Sequence, residues 1–262
     1  MKHIHKEQLY IRKSQLQDQL FDADAVFFDI ETTGFSPAHS TIYLIGCARH
    51  IDEKVHIDQF FAETPSDERE VIISFLEILK SYSTLISFNG VGFDVPFLKA
   101  KCDTYQLEEP FKALNYLDIF KSVSELKFLL KLPNYKQKTI EGFLNLSRDD
   151  LYSGGDLINV YHEYCKEPDA AKEEVLLLHN YEDVAGMIDL LPVLTYNEIF
   201  HGQYAITETK TGTYRSVDGT QQKELLITLK NDYPVPRRVS YQFRDYYFIS
   251  NGDTSTLRIP IY

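Results

Sequence analysis

Apolar and polar residues alternate along this chain with two different periods, and the changes between them mark its elements. Residues 25–34, 41–48 and 54–61 are apolar or strictly alternating runs of strand length. Turn chemistry at Gly34-Phe35-Ser36-Pro37 separates the first two, so the chain is expected to begin as a three-strand antiparallel meander. Pro65-Ser66-Asp67-Glu68 then opens a helix that carries Val71, Ile72, Phe75, Leu76 and Leu79 at helical spacing. A short apolar strand over 84–88 stops at Asn89-Gly90, and a strand that follows a helix back to a meander adds in parallel. Residues 91–98 read as a loop entering a helix, with Pro96 in its first turn and Asp94 placed as an N-cap.

Residues 114–119 predict a last short strand, after which helix follows helix, ending in a long one over 170–199. From Gly202 short alternating runs return. Strands are expected at 223–229, 239–243, 246–250 and 256–261, between turn signals at Asp218-Gly219, Asn231-Asp232, Pro234-Val235-Pro236 and Asn251-Gly252. The pattern predicts an α/β fold over 1–200, with a mixed sheet of antiparallel meander plus parallel strands flanked by helices. A small β-rich module follows over 201–262.

Composition adds bounds. With 262 residues, 44% apolar and 25% charged, the chain is long enough to bury a real core. The first residues are polar, and no apolar run approaches the roughly 18 residues of a membrane span, so a soluble cytoplasmic protein without membrane contact is expected. Cys47, Cys102 and Cys165 lie far apart with no C-x-x-C, which suits core residues rather than a disulfide framework or a structural zinc site. The net charge of −12 excludes a protein that coats nucleic acid by electrostatics alone. Residues 201–262 hold 8 Lys+Arg against 6 Asp+Glu, so the acid excess sits in the first 200 residues. There, Lys121, Lys127, Lys131, Lys136 and Lys138 form a basic cluster, read either as a solvated face or as a contact surface.

The acids carry the chemistry. Asp29 and Glu31 are two apart in an apolar strand and so project side by side, with Phe28 and Ile30 on the opposite face. Like charges on a mostly buried strand repel and lose hydration, and from Ser14 to Ala48 no Lys or Arg supplies a counter-charge. A divalent cation with oxygen ligands answers that need; a half-exposed strand end with solvated acids is the plainer alternative. Further on, His179 and Asp183 are four apart and share a helix face, while Tyr181 lies about 200° around the axis from His179. In the last module Tyr241, Phe243, Tyr246, Tyr247 and Phe248, near Arg237, Arg238 and Arg244, could form either a stacking platform for single-stranded nucleic acid or a surface docked on the first domain.

Three stretches, in order, carry a resemblance: Phe28-Asp29-Ile30-Glu31-Thr32-Thr33-Gly34-Phe35, Phe88-Asn89-Gly90-Val91-Gly92-Phe93-Asp94-Val95-Pro96-Phe97-Leu98, and Leu178-His179-Asn180-Tyr181-Glu182-Asp183-Val184. Together they resemble the exonuclease motifs of the DEDD superfamily, and more narrowly its YprB-like ribonuclease-H-like branch, over roughly residues 22–196. Asp118, Glu141, Gly155 and Tyr161 also fall where that branch has such residues. The resemblance implies a ribonuclease-H-like fold and a 3′→5′ exonuclease acting on single-stranded DNA or RNA ends. It further implies two Mg²⁺ or Mn²⁺ ions, about 3.5–4 Å apart in such sites.

By the resemblance, Asp29 would bridge the ions, Glu31 and Asp183 would complete the nucleophile side, and Asp94 would support the leaving-group side, directly or through water. Thr32, Phe35, Asn89 and Phe93 are implied as substrate contacts. Phe35 stands where relatives wedge an apolar residue against the terminal base, or it is a turn residue tucked into the core. His179 departs from the pattern, standing four before the last Asp, where the tyrosine subfamily has its tyrosine; the histidine subfamily places its His five before. At pKa near 6.5 an imidazole can still accept a proton from water. A catalytically inactive nucleic-acid or partner-binding module, and a phosphatase using the same metals, are the competing readings.

Overall fold

The computed structural model describes residues 1–150, 152, 154–215 and 219–261. Its main sheet has six strands: β1 (Lys2–Leu9), β2 (Ala25–Thr32), β3 (Ile42–Ile51), β4 (Lys54–Phe61), β5 (Thr84–Ser87) and β6 (Asn115–Asp118), in spatial order β1-β4-β3-β2-β5-β6. β2, β3 and β4 form the expected meander, and β5 and β6 add in parallel beyond β2. β1 falls outside the sequence expectation. It pairs antiparallel with β4 along its whole length, yet seven of its eight residues are exposed. An edge strand exposed on both faces carries no apolar period to read.

The helices are α1 (Gln15–Leu20), α2 (Glu68–Leu79), α3 (Asp94–Tyr105), α4 (Ile119–Ser124), α5 (Lys127–Leu130), α6 (Gln137–Phe143), α7 (Gly154–Lys166), α8 (Ala170–Leu190) and α9 (Thr195–Phe200). The long helix expected over 170–199 is broken. α8 ends at Leu190 and a 3₁₀ turn over Leu191–Leu194 leads into α9. Pro192 explains the break, since it lacks an N–H and clashes with a preceding carbonyl.

Strand alternation on β2 divides the core. Val26, Phe28 and Ile30 belong to one buried cluster with α2, α3 and α7, whereas Ala25 and Phe27 belong to a second with α4, α5 and the end of α8. Asp29 and Glu31 continue the second face, as period two requires.

The C-terminal sheet has three strands in order: β7 (Tyr204–Arg215), β8 (Gln221–Phe243) and β9 (Tyr246–Ile261). The four expected strands are two long ones, because the signals at 231–236 and 251–252 mark register shifts within the β8–β9 ladder rather than turns. Asp218 lies outside the described residues. β7, exposed along nearly all of its length, lacks the apolar alternation that would have announced it. The sheet is seated on the main body: Val235 and Val239 enter the second core cluster, and the Tyr196 hydroxyl donates to Arg237 O at 2.6 Å. Tyr241 packs edge-on against Phe128 and Phe248 tilts against Phe200, while Phe243 and Tyr246 stay exposed. The aromatics thus divide between the two readings of that module.

Candidate active site

Asp29 and Glu31 leave β2 where its parallel pairing with β5 has ended. That ladder stops at Phe27, which frees the Ile30 N–H on the β5 side. Asp94 takes it, Oδ1 accepting at 3.1 Å. Asp94 is therefore not the expected N-cap. It is the first residue of α3, and its carboxylate reaches across to β2 instead of bonding the helix start. Across the ladder from Asp29 stands Gly46. A Cβ there would sit 2.1 Å from Asn180 Oδ1, so only glycine lets α8 lie this close to the sheet. The close approach lets Asn180 Nδ2 donate to Asp29 Oδ2 at 3.2 Å while its Oδ1 accepts from Gln59 at 3.1 Å.

The same packing aims the next face of α8 at Glu31. His179 Nε2 is 3.6 Å from Glu31 Oε1 and 3.2 Å from Asp183 Oδ2. Its other nitrogen, Nδ1, donates to Asp150 Oδ2 at 2.7 Å. That bond fixes the tautomer and turns the Nε2 lone pair toward two carboxylate oxygens. Lone pair against lone pair requires a proton or a metal ion between them. Asp150 is held in turn by Lys138 Nζ at 2.8 Å and by its own N–H bond to Glu182 at 2.7 Å. Burial alone would raise the Asp150 pKa, but the Lys138 bond, the Tyr152 N–H and His179 hold it below the usual carboxylate range.

Asp183 is gripped from behind. Arg148 pairs with its Oδ1 and, through Nε and Nη2, with both oxygens of Glu141, forming a fork with Glu141. Gln137 donates to Asp183 O at 2.9 Å and to Glu141 at 3.0 Å. Gly186 makes room, since a Cβ there would lie 2.5 Å from Glu141 Oε1.

The four acids are poorly neutralised. Among the described residues, Arg148 is the one guanidinium that pairs with any of them, and it also serves Glu141. Burial first, then Asp94, Asp183 and Glu31, push the Asp29 carboxyl well above its usual pKa. Burial, Asp183 and Asp94 do the same to Glu31. Asp94 is raised to about 7 by burial, partly offset by the Ile30 N–H. The Tyr43 hydroxyl is buried beside Glu31, where it partly offsets the rise of that carboxyl, though it meets no partner at full hydrogen-bond geometry among the described residues. Oxygen-rich donors and unbalanced negative charge fit a divalent cation of the Mg²⁺ or Mn²⁺ kind.

The remaining sequence candidates are placed as follows. Phe35 is 88% exposed, so it is not tucked into the core; its ring is edge-on to the half-buried Phe93 at 6.1 Å. Thr32 Oγ1 closes the following turn on Gly34 O at 2.8 Å. Asn89 takes a left-handed φ of 66°, and its N–H donates to Asp118, which also caps α4. These give Thr32 and Asn89 structural duties. Tyr181 turns away, its hydroxyl donating to Gln8 on β1 at 3.0 Å. Tyr161 stacks on Tyr43 at 4.3 Å, behind Glu31. Of the basic cluster, Lys138 is committed to Asp150, while Lys127 and Lys131 lie over Tyr135 and Tyr241. Arg148, Asp150, Asn180 and Gln137 escaped sequence reasoning. Asn180 lies inside the third matched stretch; the others sit where no period or motif singles them out.

With this geometry in place, the model of the RNase H superfamily matches residues 26–195, from β2 to the first residue of α9. The chain belongs to the RNase H superfamily. This RNase H superfamily member is 30% identical over 169 residues to the uncharacterized protein YprB of Bacillus subtilis (strain 168), the match covering 63% of the chain and 40% of YprB. The chain therefore matches well under half the length of that relative. Among solved structures it is similar to the family B DNA polymerase of Pyrobaculum calidifontis, at TM-score 0.51 and 15% identity over 77% of this chain and 33% of the polymerase. The zinc-bound E. coli ExoI–ssDNA complex aligns at TM-score 0.42 and 13% identity, over 79% of this chain and 54% of that one. The polymerase likeness speaks to the fold alone. Among the described residues no helix is long and apolar enough to cross a membrane.

Proposed function

We propose that this RNase H superfamily member is a metal-dependent 3′→5′ exonuclease of the DEDD type that hydrolyses phosphodiester bonds at single-stranded DNA or RNA ends. The observation that carries the reading is the convergence of Asp29, Glu31, Asp94 and Asp183, from β2, α3 and α8, near enough to raise one another's pKa, with the Asp150-held imidazole of His179 against Glu31 and Asp183. The direction of attack rests on the order and wording of the three matched stretches.

In this reading Asp29, Glu31, Asp94 and Asp183 hold two Mg²⁺ or Mn²⁺ ions, which when bound supply a water of lowered pKa and offset charge on the phosphate. His179 Nε2 accepts the proton of the attacking water, and Asp150 keeps Nδ1 protonated so that Nε2 is the accepting atom. Arg148 holds Asp183 through Oδ1, leaving Oδ2 toward His179, and Gln137 holds its backbone oxygen. Phe35, exposed beside Phe93, offers a ring against which a terminal base can stack.

The position of His179 supports a base rather than a degenerate copy. Four residues before Asp183, it already reaches Glu31 and Asp183 together. The test uses 5′-labelled single-stranded DNA and RNA with Mg²⁺ or Mn²⁺, comparing the protein with Asp29→Ala. A ladder shortening from the 3′ end that vanishes in the variant is expected. Intact oligonucleotides with either ion would overturn the reading, and cleavage of a phosphomonoester alone would replace it with a phosphatase.

A further inference from the structure

A second group of metal-ligating side chains stands on the opposite edge of the main sheet. His3 and His5 are two apart on β1 and face the same way, as do His56 and Asp58 on β4, and the ladder sets His5 directly across from Asp58 and Glu7 across from His56. The two imidazoles converge on one oxygen. His3 Nε2 is 2.7 Å and His5 Nδ1 2.8 Å from Asp58 Oδ1. We propose that His3 Nε2, His5 Nδ1 and Asp58 Oδ1 form a binding site for a first-row transition ion of the Zn²⁺ class, which fastens the edge strand β1 to β4.

The chemistry of the donors selects the ion. Two imidazoles and one carboxylate suit Zn²⁺, Co²⁺ or Ni²⁺, whereas Mg²⁺ favours oxygen alone. An ion about 2.0–2.1 Å from each ligand needs ligand atoms roughly 3.3 Å apart. The present separations open to that value by a small rotation of two rings whose side chains are 48% and 39% exposed. The fourth position faces solvent, as it does in a site with three protein ligands.

The surrounding shell is also built. Arg49 pairs with Asp58 Oδ2 and so leaves Oδ1 to the two imidazoles. His5 Nε2 lies 3.6 Å from Glu7 Oε1 and 3.4 Å from His56 Nδ1, so the ring has an acceptor for its second N–H when Nδ1 is engaged. His3 lies nearly parallel to Phe60 at 4.8 Å, which fixes the plane of its ring. Asp58 itself is buried. A buried carboxylate with an arginine behind it and two half-exposed imidazoles before it is a preorganised donor set rather than a solvated charge cluster.

The candidate active site also offers Glu31, His179 and Asp183 to such an ion, so the test begins with Glu31→Gln/Asp183→Asn, which removes both carboxylates of that group and leaves His179 as a lone imidazole. In that background, metal-free protein titrated calorimetrically with Zn²⁺ is expected to bind one ion and to melt at higher temperature when loaded. Adding His3→Gln or His5→Gln should weaken binding at least tenfold and abolish the rise in melting temperature, with the far-ultraviolet dichroism of the metal-free protein unchanged. With one equivalent of Co²⁺, the imidazole resonances of His3, His5 and His56 should shift or broaden while those of His39 and His201 do not. Absence of Zn²⁺ binding in the first background, or binding indifferent to both histidine substitutions, would overturn the site. Neither outcome bears on nuclease activity.

Discussion

Asp94 offers a sharp test of the electrostatics, because its carboxyl is buried and raised to about 7 while the unfolded chain holds it near 3.8. The sign follows from linkage. A carboxylate whose folded pKa exceeds its unfolded one is protonated longer in the native state, so its contribution is favourable at low pH and is lost as pH rises through the folded value. Each unit is worth about 1.36 kcal/mol. Asp94 thus costs the metal-free protein on the order of 4 kcal/mol at pH 8, where it is ionised in both states, and less than half of that at pH 5, where only the unfolded chain is ionised. Asp94→Asn removes the charge and keeps an oxygen to accept the Ile30 N–H. Urea unfolding in EDTA should therefore show the variant gaining about 2–3 kcal/mol more over the wild type at pH 8 than at pH 5. A divalent cation should narrow the gap between the two at pH 8. At a hundred times its dissociation constant it adds about 2.7 kcal/mol to a protein that binds it, and the variant, short of one ligand, gains less. A gain from Asp94→Asn that is the same at both pH values, or that is larger at pH 5, would refute the reasoning.

Two further outcomes follow from the shell behind the acids. Asp150→Asn loses the negative partner of His179 Nδ1 and should reduce turnover or metal affinity by about 10–100-fold, with the pH–rate profile displaced, as assayed on single-stranded oligonucleotides. Arg148→Met strands the buried Glu141 and should destabilise by about 3–5 kcal/mol in urea unfolding; the double variant with Glu141→Leu should recover most of that loss.

The central part of the site was legible for a physical reason. Asp29 and Glu31 interrupt an apolar strand, and an interruption of period two can be seen without knowing what the strand packs against. The spacing of His179 and Asp183 likewise placed both on one helix face, and Tyr181 elsewhere. What spacing left open was which way that face points. Gly46 decides it by letting Asn180 sit against β2, and a glycine reveals its purpose only when its neighbour is known. Asp94 shows what spacing leaves open: ahead of Pro96 it reads equally as a cap or as a site acid, and the end of the β2–β5 ladder turns its carboxylate to the Ile30 N–H.

The chain by itself determined the meander, the parallel additions, the helical layer and the crowding of Asp29 with Glu31, because local period and like-charge crowding are properties of neighbours in sequence; Asp94 and Asp183 joined that pair only through the resemblance. Tertiary structure alone decided that β1 and β7 are strands, since exposed strands are specified by their ladders rather than by their side chains. It alone brought Arg148 to Asp183 and Asp150 to His179, across 35 and 29 residues. Those pairings depend on where α8 lies against the sheet, and that placement is the sum of many packing contacts that no short stretch of sequence contains.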